Sequence, residues 1–172
     1  VELTYGGKPK VSVAPPWLDG FVWETTATGE PWIAVTAQGD GADDWWPAKD
    51  HPSDEPDEGI AIDLTVPAGL VGLSNGRRVA ERANADGTIT SRWESRYPIN
   101  NYLVTINVGP YVEVVEWYLG ADGRLEVPAT FYSLPEHLPA ARALWREAPA
   151  ILALFARHFG EFPFLDDKIA VV

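Results

Sequence analysis

The spacing of apolar side chains changes once along this sequence, near residue 133, and this change limits the folds that the chain can adopt. In residues 60–66 every second side chain is branched and apolar, which is typical of a half-buried β-strand. Residues 102–108 and 111–118 are also rich in β-branched and aromatic side chains, which favour strands. Between residues 140 and 159, by contrast, apolar side chains recur at the spacing of a helix face. The sequence therefore predicts a mainly β chain that ends in a helical segment.

Turn residues separate the predicted strands. Asp86 and Gly87 form a pair that tight hairpins prefer, since glycine adopts a positive φ without strain. Prolines, which lack the N–H needed inside a sheet, lie at strand ends, for example Pro67 and Pro110. Short strands separated in this way favour an antiparallel, saddle-like β-sandwich. We predict that this β domain covers residues 1–133 and is incomplete at its start. We predict that residues 134–172 form a linker, a helix and a short strand.

One face of the predicted helix is apolar. The residues that share it are Leu144, Ile151, Leu152, Phe155 and Phe159. Pro149 has no backbone N–H, so it either kinks this helix or begins a second one. The apolar face needs a cover, because burying a large apolar side chain contributes about 1.5–3 kcal/mol. The helix can fold back on the β domain, pair with another copy of the chain or stay mobile. We predict that it pairs, and hence that the chain self-associates.

The composition excludes several classes of function. Acidic residues outnumber basic ones by 25 to 13, and the net charge is −12. Nucleic acid and anionic membranes are therefore not expected as partners, because both require clustered Lys and Arg. The absence of cysteine excludes disulfides, thiolate metal sites and a cysteine nucleophile. No membrane span is predicted, because no apolar run reaches about 18 residues. Residues 1–5 and residues 168–172 resemble strands rather than frayed termini, so we expect an excised piece of a larger protein.

Acidic residues are concentrated between residues 40 and 58. They include Asp43, Asp44, Asp50, Asp54, Glu55, Asp57 and Glu58. A solvated loop explains them best, because runs of charge usually face water. A calcium loop and a paired-carboxylate glycosidase site are the alternatives, although the spacing lacks the regular ligand pattern of a calcium loop. The histidines His51, His137 and His158 are too widely spaced to indicate a zinc site.

Tryptophan is frequent, with eight in 172 residues. Large aromatic side chains usually pack in cores or interfaces. Exposed indole rings on a β-sandwich can also stack on sugars, which keeps a carbohydrate-binding module as an alternative function. The candidates for such stacking are Trp17, Trp23, Trp32, Trp45, Trp46, Trp93 and Trp117.

Seven short motifs follow one another along the chain. They are Tyr-Gly-Gly at 5–7, Thr-Ala-Gln at 36–38 followed by Trp-Pro at 46–47, Asp-His-Pro-Ser-Asp at 50–54, Val-Pro-Ala-Gly at 66–69, Ser-Asn-Gly at 74–76, Trp-Glu-Ser at 93–95 with Pro-Ile-Asn-Asn-Tyr at 98–102, and Phe-Gly-Glu-Phe-Pro-Phe at 159–164. In this order they resemble the N-terminal domain of zinc aminopeptidases of the alanyl-aminopeptidase and leukotriene-hydrolase family. One departure is Ala48, which stands where the family usually has a cysteine after Trp-Phe-Pro.

The resemblance implies a role beside an active site. In the family, this domain closes one side of the active-site cleft, and a Gln or Glu from it helps to hold the free amine of the peptide substrate. Gln38, eight residues before Trp46, matches that position. A neutral amide oxygen can accept a hydrogen bond from an ammonium without burying a second charge. The alternative is that Gln38 only binds loop backbone.

The resemblance also implies zinc in the parent protein, held by a His-Glu-x-x-His motif. This motif is absent from the 172 residues. We therefore expect no catalytic residue, metal ligand or cofactor in this chain. It would be a non-catalytic fragment of a zinc metallopeptidase that removes N-terminal residues from peptides. In that case residues 134–172 begin the truncated catalytic domain, which would be the main partner of the β domain.

Overall fold

The computed structural model describes residues 2–37, 42–49, 51, 53–120, 123 and 126–172. Within these residues the chain forms ten strands, two α-helices and two short 3₁₀ helices. The strands are β1 (Gly20–Thr25), β2 (Pro31–Thr36), β3 (Ile60–Pro67), β4 (Val71–Ser74), β5 (Arg77–Ala83), β6 (Thr88–Ser95), β7 (Ile106–Gly109), β8 (Val112–Leu119), β9 (Glu126–Ser133) and β10 (Ile169–Val171). The α-helices are α1 (Leu138–Trp145) and α2 (Ala148–Phe159), and the 3₁₀ helices are Asn101–Leu103 and Pro135–His137.

The strands form three sheets. Their strand orders are β1-β2-β7-β4, β3-β6-β5 and β10-β9-β8. All the pairs between named strands are antiparallel except β10 with β9, which runs parallel from Ile169 opposite Ala129 to Val171 opposite Phe131. The prediction of a mainly β chain with a helical segment and a closing strand is confirmed.

The core lies where the three sheets meet. Leu73 of β4, Trp93 of β6 and Tyr132 of β9 pack together with Tyr111, which precedes β8. The Trp93 indole is 1% exposed, and its Nε1 donates a hydrogen bond to the Gly72 carbonyl at 3.1 Å. Burying an indole costs little free energy when its single N–H donor is hydrogen-bonded in this way. One aromatic cluster therefore ties the sheets to one another.

Two of the predicted strands are confirmed and one is partly wrong. Residues 60–66 lie in β3 and residues 112–118 in β8, but residues 101–103 form a 3₁₀ helix and β7 begins only at Ile106. The Asn75 side chain explains the difference: its Oδ1 accepts from the Thr105 N–H at 2.8 Å, and its Nδ2 donates to the Leu103 carbonyl at 3.0 Å. Backbone groups that could have formed the hydrogen bonds of a sheet are thus bound by the Asn75 side chain instead.

The helical segment contains two helices, so Pro149 begins a second helix instead of kinking a single one. α2 starts at Ala148 with Pro149 in its first turn, where the missing N–H costs nothing. α1 is fixed to the β domain by Trp145, whose Nε1 donates to the Ala129 carbonyl at 2.8 Å. Much of the apolar face remains in solvent, and Phe159 is 84% exposed.

The two ends of the chain differ from each other. The predicted strand over residues 1–5 is wrong for residues 2–5, which form no strand, while residue 1 is outside the described residues. The predicted closing strand is confirmed as β10. It pairs with β9, the last strand of the predicted β domain. Among the described residues, no helix is both long enough and apolar enough to cross a membrane.

Candidate functional site

A cleft of about 580 Å³ opens where residues 161–170 cross over the ends of β4 and β6. Aromatic and aliphatic side chains form much of its wall, including Leu103, Phe162 and Phe164. Two charged residues of the crossing segment, Asp167 and Lys168, also line it. Clefts of this size with apolar walls and few polar groups are the usual form of a small-molecule site.

Arg77, the first residue of β5, positions the crossing segment. Its Nε donates to the Asp167 carbonyl at 2.5 Å, and one terminal nitrogen donates to the Leu165 carbonyl at 2.6 Å. The rigid fork of a guanidinium suits two neighbouring acceptors, so one side chain fixes the path of the segment. Residues 165–167 are thereby tied to the sheet β3-β6-β5.

Asp167 is buried and forms the second tie. One carboxylate oxygen accepts from the Ser95 hydroxyl at 2.7 Å, and the other accepts from the Arg96 N–H at 3.3 Å. Both donors stand at the end of β6. A buried carboxylate requires such partners, because an unpaired charge away from water is costly. These two hydrogen bonds explain why the Asp167 carboxylate can be buried, and no ligand is needed to explain it.

The Lys168 side chain lies between the sheets. Its Nζ is 3.8 Å from the centre of the Trp93 ring and 5.7 Å from that of Tyr132. The same nitrogen donates to the Ser74 carbonyl at 2.6 Å. Burial, together with the nearby positive charge of Arg78, lowers the pKa of Lys168 to about 7, and Asp167 and Glu113 oppose that shift only in part. Lys168 is therefore an amine whose pKa lies close to neutral pH.

A smaller cleft of about 350 Å³ lies on the other side of Leu103. Its wall contains Val35 and Ala37 from the end of β2 and residues 102–105. Gln38, the predicted substrate-binding residue, directly follows Ala37 in sequence but is outside the described residues. The prediction for Gln38 therefore remains a prediction.

The acidic stretch shows ion pairs and turns. Asp44 accepts from Lys10 at 2.7 Å and Asp54 from Lys49 at 3.3 Å, while Asp40 and Asp50 lie outside the described residues. His51 is exposed and contacts Ser53 in its own loop. Among the residues that the structure describes, no group of three or more His, Cys, Asp or Glu side chains could hold a metal ion. Those residues do not fit zinc, whose protein sites need three or four such ligands.

The tryptophans named as stacking candidates differ in exposure, and Trp45 and Trp46 are half-buried. Trp93 is in the core, and Trp32 packs against it and donates to the Tyr111 hydroxyl at 2.8 Å. Trp17, Trp23 and Trp117 are exposed, to 79%, 51% and 59%. Trp23 also stacks on Phe21, with ring centres 5.6 Å apart.

Sequence reasoning placed residues 168–172 in a closing strand and missed the cleft beside it. One signal could have indicated it: Asp167 and Lys168 carry charge into a run that is otherwise strongly apolar. Charges at the entry to a buried strand need partners, so these two residues predict a polar contact at this point of the fold. The partners themselves are distant in sequence, so only the fold identifies them.

Neither a family model nor a curated protein matches this sequence. Solved structures do match, and the fold that they share with this chain is that of M1 zinc metallopeptidases. The resemblance inferred from the sequence motifs is thus confirmed at the level of the fold.

Three structures illustrate the match. The M1 zinc metallopeptidase of Deinococcus radiodurans is 21% identical, with a TM-score of 0.66, and a mutant of it bound to the substrate Tyr-Ser-Ala gives 0.68. In both cases the match covers 92% of this chain and 35% of the other. Aminopeptidase A of Legionella pneumophila, in complex with aspartic acid, is 20% identical with a TM-score of 0.63, over 86% of this chain and 17% of that one. The chain thus spans about a third of the Deinococcus structures and less of the Legionella enzyme.

Proposed function

We propose that this chain is the N-terminal domain of a zinc-dependent aminopeptidase and that it forms a non-catalytic wall of the active-site cleft. The observation that carries the proposal is the fold match with zinc metallopeptidases over 92% of the chain. The seven motifs in family order support it, because they are spread along the same length of sequence.

The proposed role is non-catalytic because the chemistry needs a metal that these residues do not fit. The described residues contain no suitable ligand group, and the sequence contains no His-Glu-x-x-His. Zinc, the peptide substrate and the hydrolysis are therefore proposed for the parent protein as a whole. We assign no step of peptide hydrolysis to this chain.

The test compares this chain with the full-length parent. We expect the parent to hydrolyse aminoacyl anilides and to lose that activity on removal of zinc. The chain alone should neither turn over the substrate nor retain stoichiometric zinc after dialysis. An inactive, zinc-free parent would contradict the peptidase assignment. Turnover that stays with the isolated chain through repurification would contradict the non-catalytic role.

We propose that Gln38 helps to hold the substrate amine. It follows Ala37, which lines the smaller cleft next to Leu103. In the parent, Gln38→Ala should lower kcat/KM by the equivalent of about 1.5–3 kcal/mol, the value of a hydrogen bond to a charged group. Thr28→Ala, at an exposed position, is the matched control and should leave kcat/KM unchanged. An unchanged kcat/KM in Gln38→Ala would favour a role in loop packing.

The proposed partners follow from the exposed helical surface. In the parent, the apolar face of α2 would pack against the catalytic domain. In the isolated chain, the same face would drive self-association, because a large apolar surface in water favours pairing. No partner role is proposed for nucleic acid, given the net charge of −12.

A carbohydrate-binding β-sandwich is the second candidate function. It is favoured by the exposure of Trp17, Trp23 and Trp117, since exposed indoles can stack on sugar rings. Adding oligosaccharides while recording tryptophan fluorescence tests this candidate. A saturable change that is lost in Trp23→Ala would support sugar binding and weigh against the peptidase assignment.

A further inference from the structure

Lys168 places an amine in the wall of the larger cleft. The side chain is half-buried and lines the cleft with Phe162, Phe164 and Leu103. Among the described residues that line the cleft, it is the only lysine. Its Nζ rests 3.8 Å above the Trp93 ring, and the 1% exposure of that indole shows that this side of the amine is dry.

The charged groups around Lys168 leave the amine without a carboxylate bound to it. Among the described residues its Nζ takes part in no ion pair. Asp167 directs its carboxylate to Ser95 and Arg96 instead. Other titratable groups near Lys168 are Arg78 on β5, Glu113 on β8 and Tyr132 on β9, and Tyr132 donates its hydroxyl to Glu113 at 3.3 Å. Glu55 lines the same cleft.

This environment disfavours the ammonium form. Burial is the main cause and the Arg78 charge the second, and together they lower the pKa of Lys168 to about 7. A lysine that is desolvated by an apolar wall, or that stands beside another cation, becomes a nucleophile near neutral pH. Lys168 meets both conditions.

We propose that Lys168 is a nucleophilic amine that forms an imine with small aldehydes or ketones entering the cleft. The amine keeps one N–H on the Ser74 carbonyl, and the Lys168 side chain lines the cleft from which a carbonyl compound would approach. The apolar walls favour a carbonyl compound with an aromatic or aliphatic body, and about 580 Å³ is room enough for one. This site is independent of the proposed peptidase role, because it uses no residue assigned to that role.

Imine formation needs no reagent besides the Lys168 amine and the carbonyl compound. The Nζ lone pair attacks the carbonyl carbon, a C–N bond forms, and the π electrons of the C=O bond move to oxygen. One N–H proton passes through water to that oxygen and gives a carbinolamine. Loss of the hydroxyl with the remaining N–H proton releases one water molecule and leaves a C=N bond.

The test is selective labelling of the whole chain. The protein is treated with benzaldehyde and sodium cyanoborohydride, which reduces an imine to a stable amine, and labelling is mapped by peptide mass spectrometry. The chain has four lysines, Lys8, Lys10, Lys49 and Lys168, so each site can be followed separately. Lys49 is the matched control, because its side chain is 80% exposed and its ion pair with Asp54 lies at the surface.

Two results are expected. At pH 7, Lys168 should be labelled at least about tenfold faster than Lys49, because an ordinary lysine is almost fully protonated there. As the pH rises to 10, the ratio of Lys168 to Lys49 labelling should fall, because an ordinary lysine gains neutral amine over this range while Lys168 is already largely neutral. The reduction step slows at high pH, but it affects both lysines alike. The proposal is overturned if Lys168 reacts no faster than Lys49 at pH 7, or if the two pH profiles run parallel.

A variant of Arg78 tests how the neighbouring positive charge affects Lys168. Arg78 is partly exposed and pairs with Glu81 at 2.9 Å. Arg78→Gln removes the cation that lowers the pKa of Lys168, so labelling at pH 7 should slow by about threefold. The same or faster labelling in this variant would contradict activation by the neighbouring charge.

Discussion

At the scale of single residues, Gly76 shows how backbone geometry restricts the sequence. It follows Asn75 with φ of 77°, in the left-handed region that favours glycine. A Cβ at this position would lie 2.1 Å from the Glu94 carbonyl oxygen, so a larger residue is excluded by the backbone of β6 as well. The Ser-Asn-Gly motif thus allows β4 to turn directly into β5 against β6.

The first prediction compares two glycines with nearly the same φ. Gly87 has φ of 84°, but a Cβ there would meet nothing within 4 Å. Gly87→Ala should cost about 1–2 kcal/mol of unfolding free energy through the left-handed conformation alone. Gly76→Ala should cost at least about 3 kcal/mol, because β6 must also move. Urea denaturation measures both, and equal costs would show that the turn can relax.

The second prediction concerns Lys168 and the pH dependence of stability. The folded pKa of Lys168 is about 7, below the usual lysine value of 10.5, so the unfolded chain binds more protons between these values. Stability therefore rises with pH across this window, relative to a chain without the group. Lys168→Met should remove that rise and should be most stabilising, relative to the native chain, at and below about pH 7. Unfolding free energies from pH 6 to 10 test this, with the exposed Lys49→Met as control. Equal slopes in the native chain and Lys168→Met would contradict the shift.

At the scale of elements, the crossing segment depends on one of two adjacent aspartates. Asp167 is buried and binds the Ser95 hydroxyl and the Arg96 N–H, whereas Asp166 is exposed and accepts only a 3.3 Å bond from Tyr97.

The third prediction follows from this contrast. Asp167→Ala should destabilise the chain by about 2–3 kcal/mol, because two donors lose a charged acceptor. Asp166→Ala should change stability by less than about 0.5 kcal/mol. Thermal unfolding of both variants gives the comparison. A similar loss in each would mean that the segment is held by Arg77 and Lys168 instead.

The elements also show which parts of the fold can be predicted from sequence. β3 was predictable because alternation is a local property of residues 60–66. The 3₁₀ helix at Asn101–Leu103 was not, because the Asn75 side chain that binds Leu103 and Thr105 lies about 30 residues away. The same limit applies to the larger cleft, whose walls come from separate elements. The pairing of β10 with β9 is another long-range contact that no local sequence pattern predicts.

At the scale of the whole molecule, three sheets share one aromatic core, and the C-terminal segment completes it. Lys168 packs on Trp93, and Ala170 of β10 packs against the same cluster. Removing residues 139–172 would therefore open the core as well as remove the apolar helix face. Point substitutions on α2 are the sharper way to test whether that face drives association.

The last prediction concerns that association. Phe155 and Phe159 are exposed on α2, with ring centres 6.1 Å apart, and they form a continuous apolar surface. We expect Phe155→Glu with Phe159→Glu to weaken self-association at least about tenfold, since each phenylalanine buried in a dimer contributes about 1.5–3 kcal/mol. Ala150→Glu with Ala153→Glu adds the same charge to exposed positions of the same helix, on a different face, and should weaken association much less. Sedimentation velocity over a concentration series measures the effect. A chain that remains monomeric at high concentration, with α2 protected from hydrogen exchange, would contradict pairing through this face.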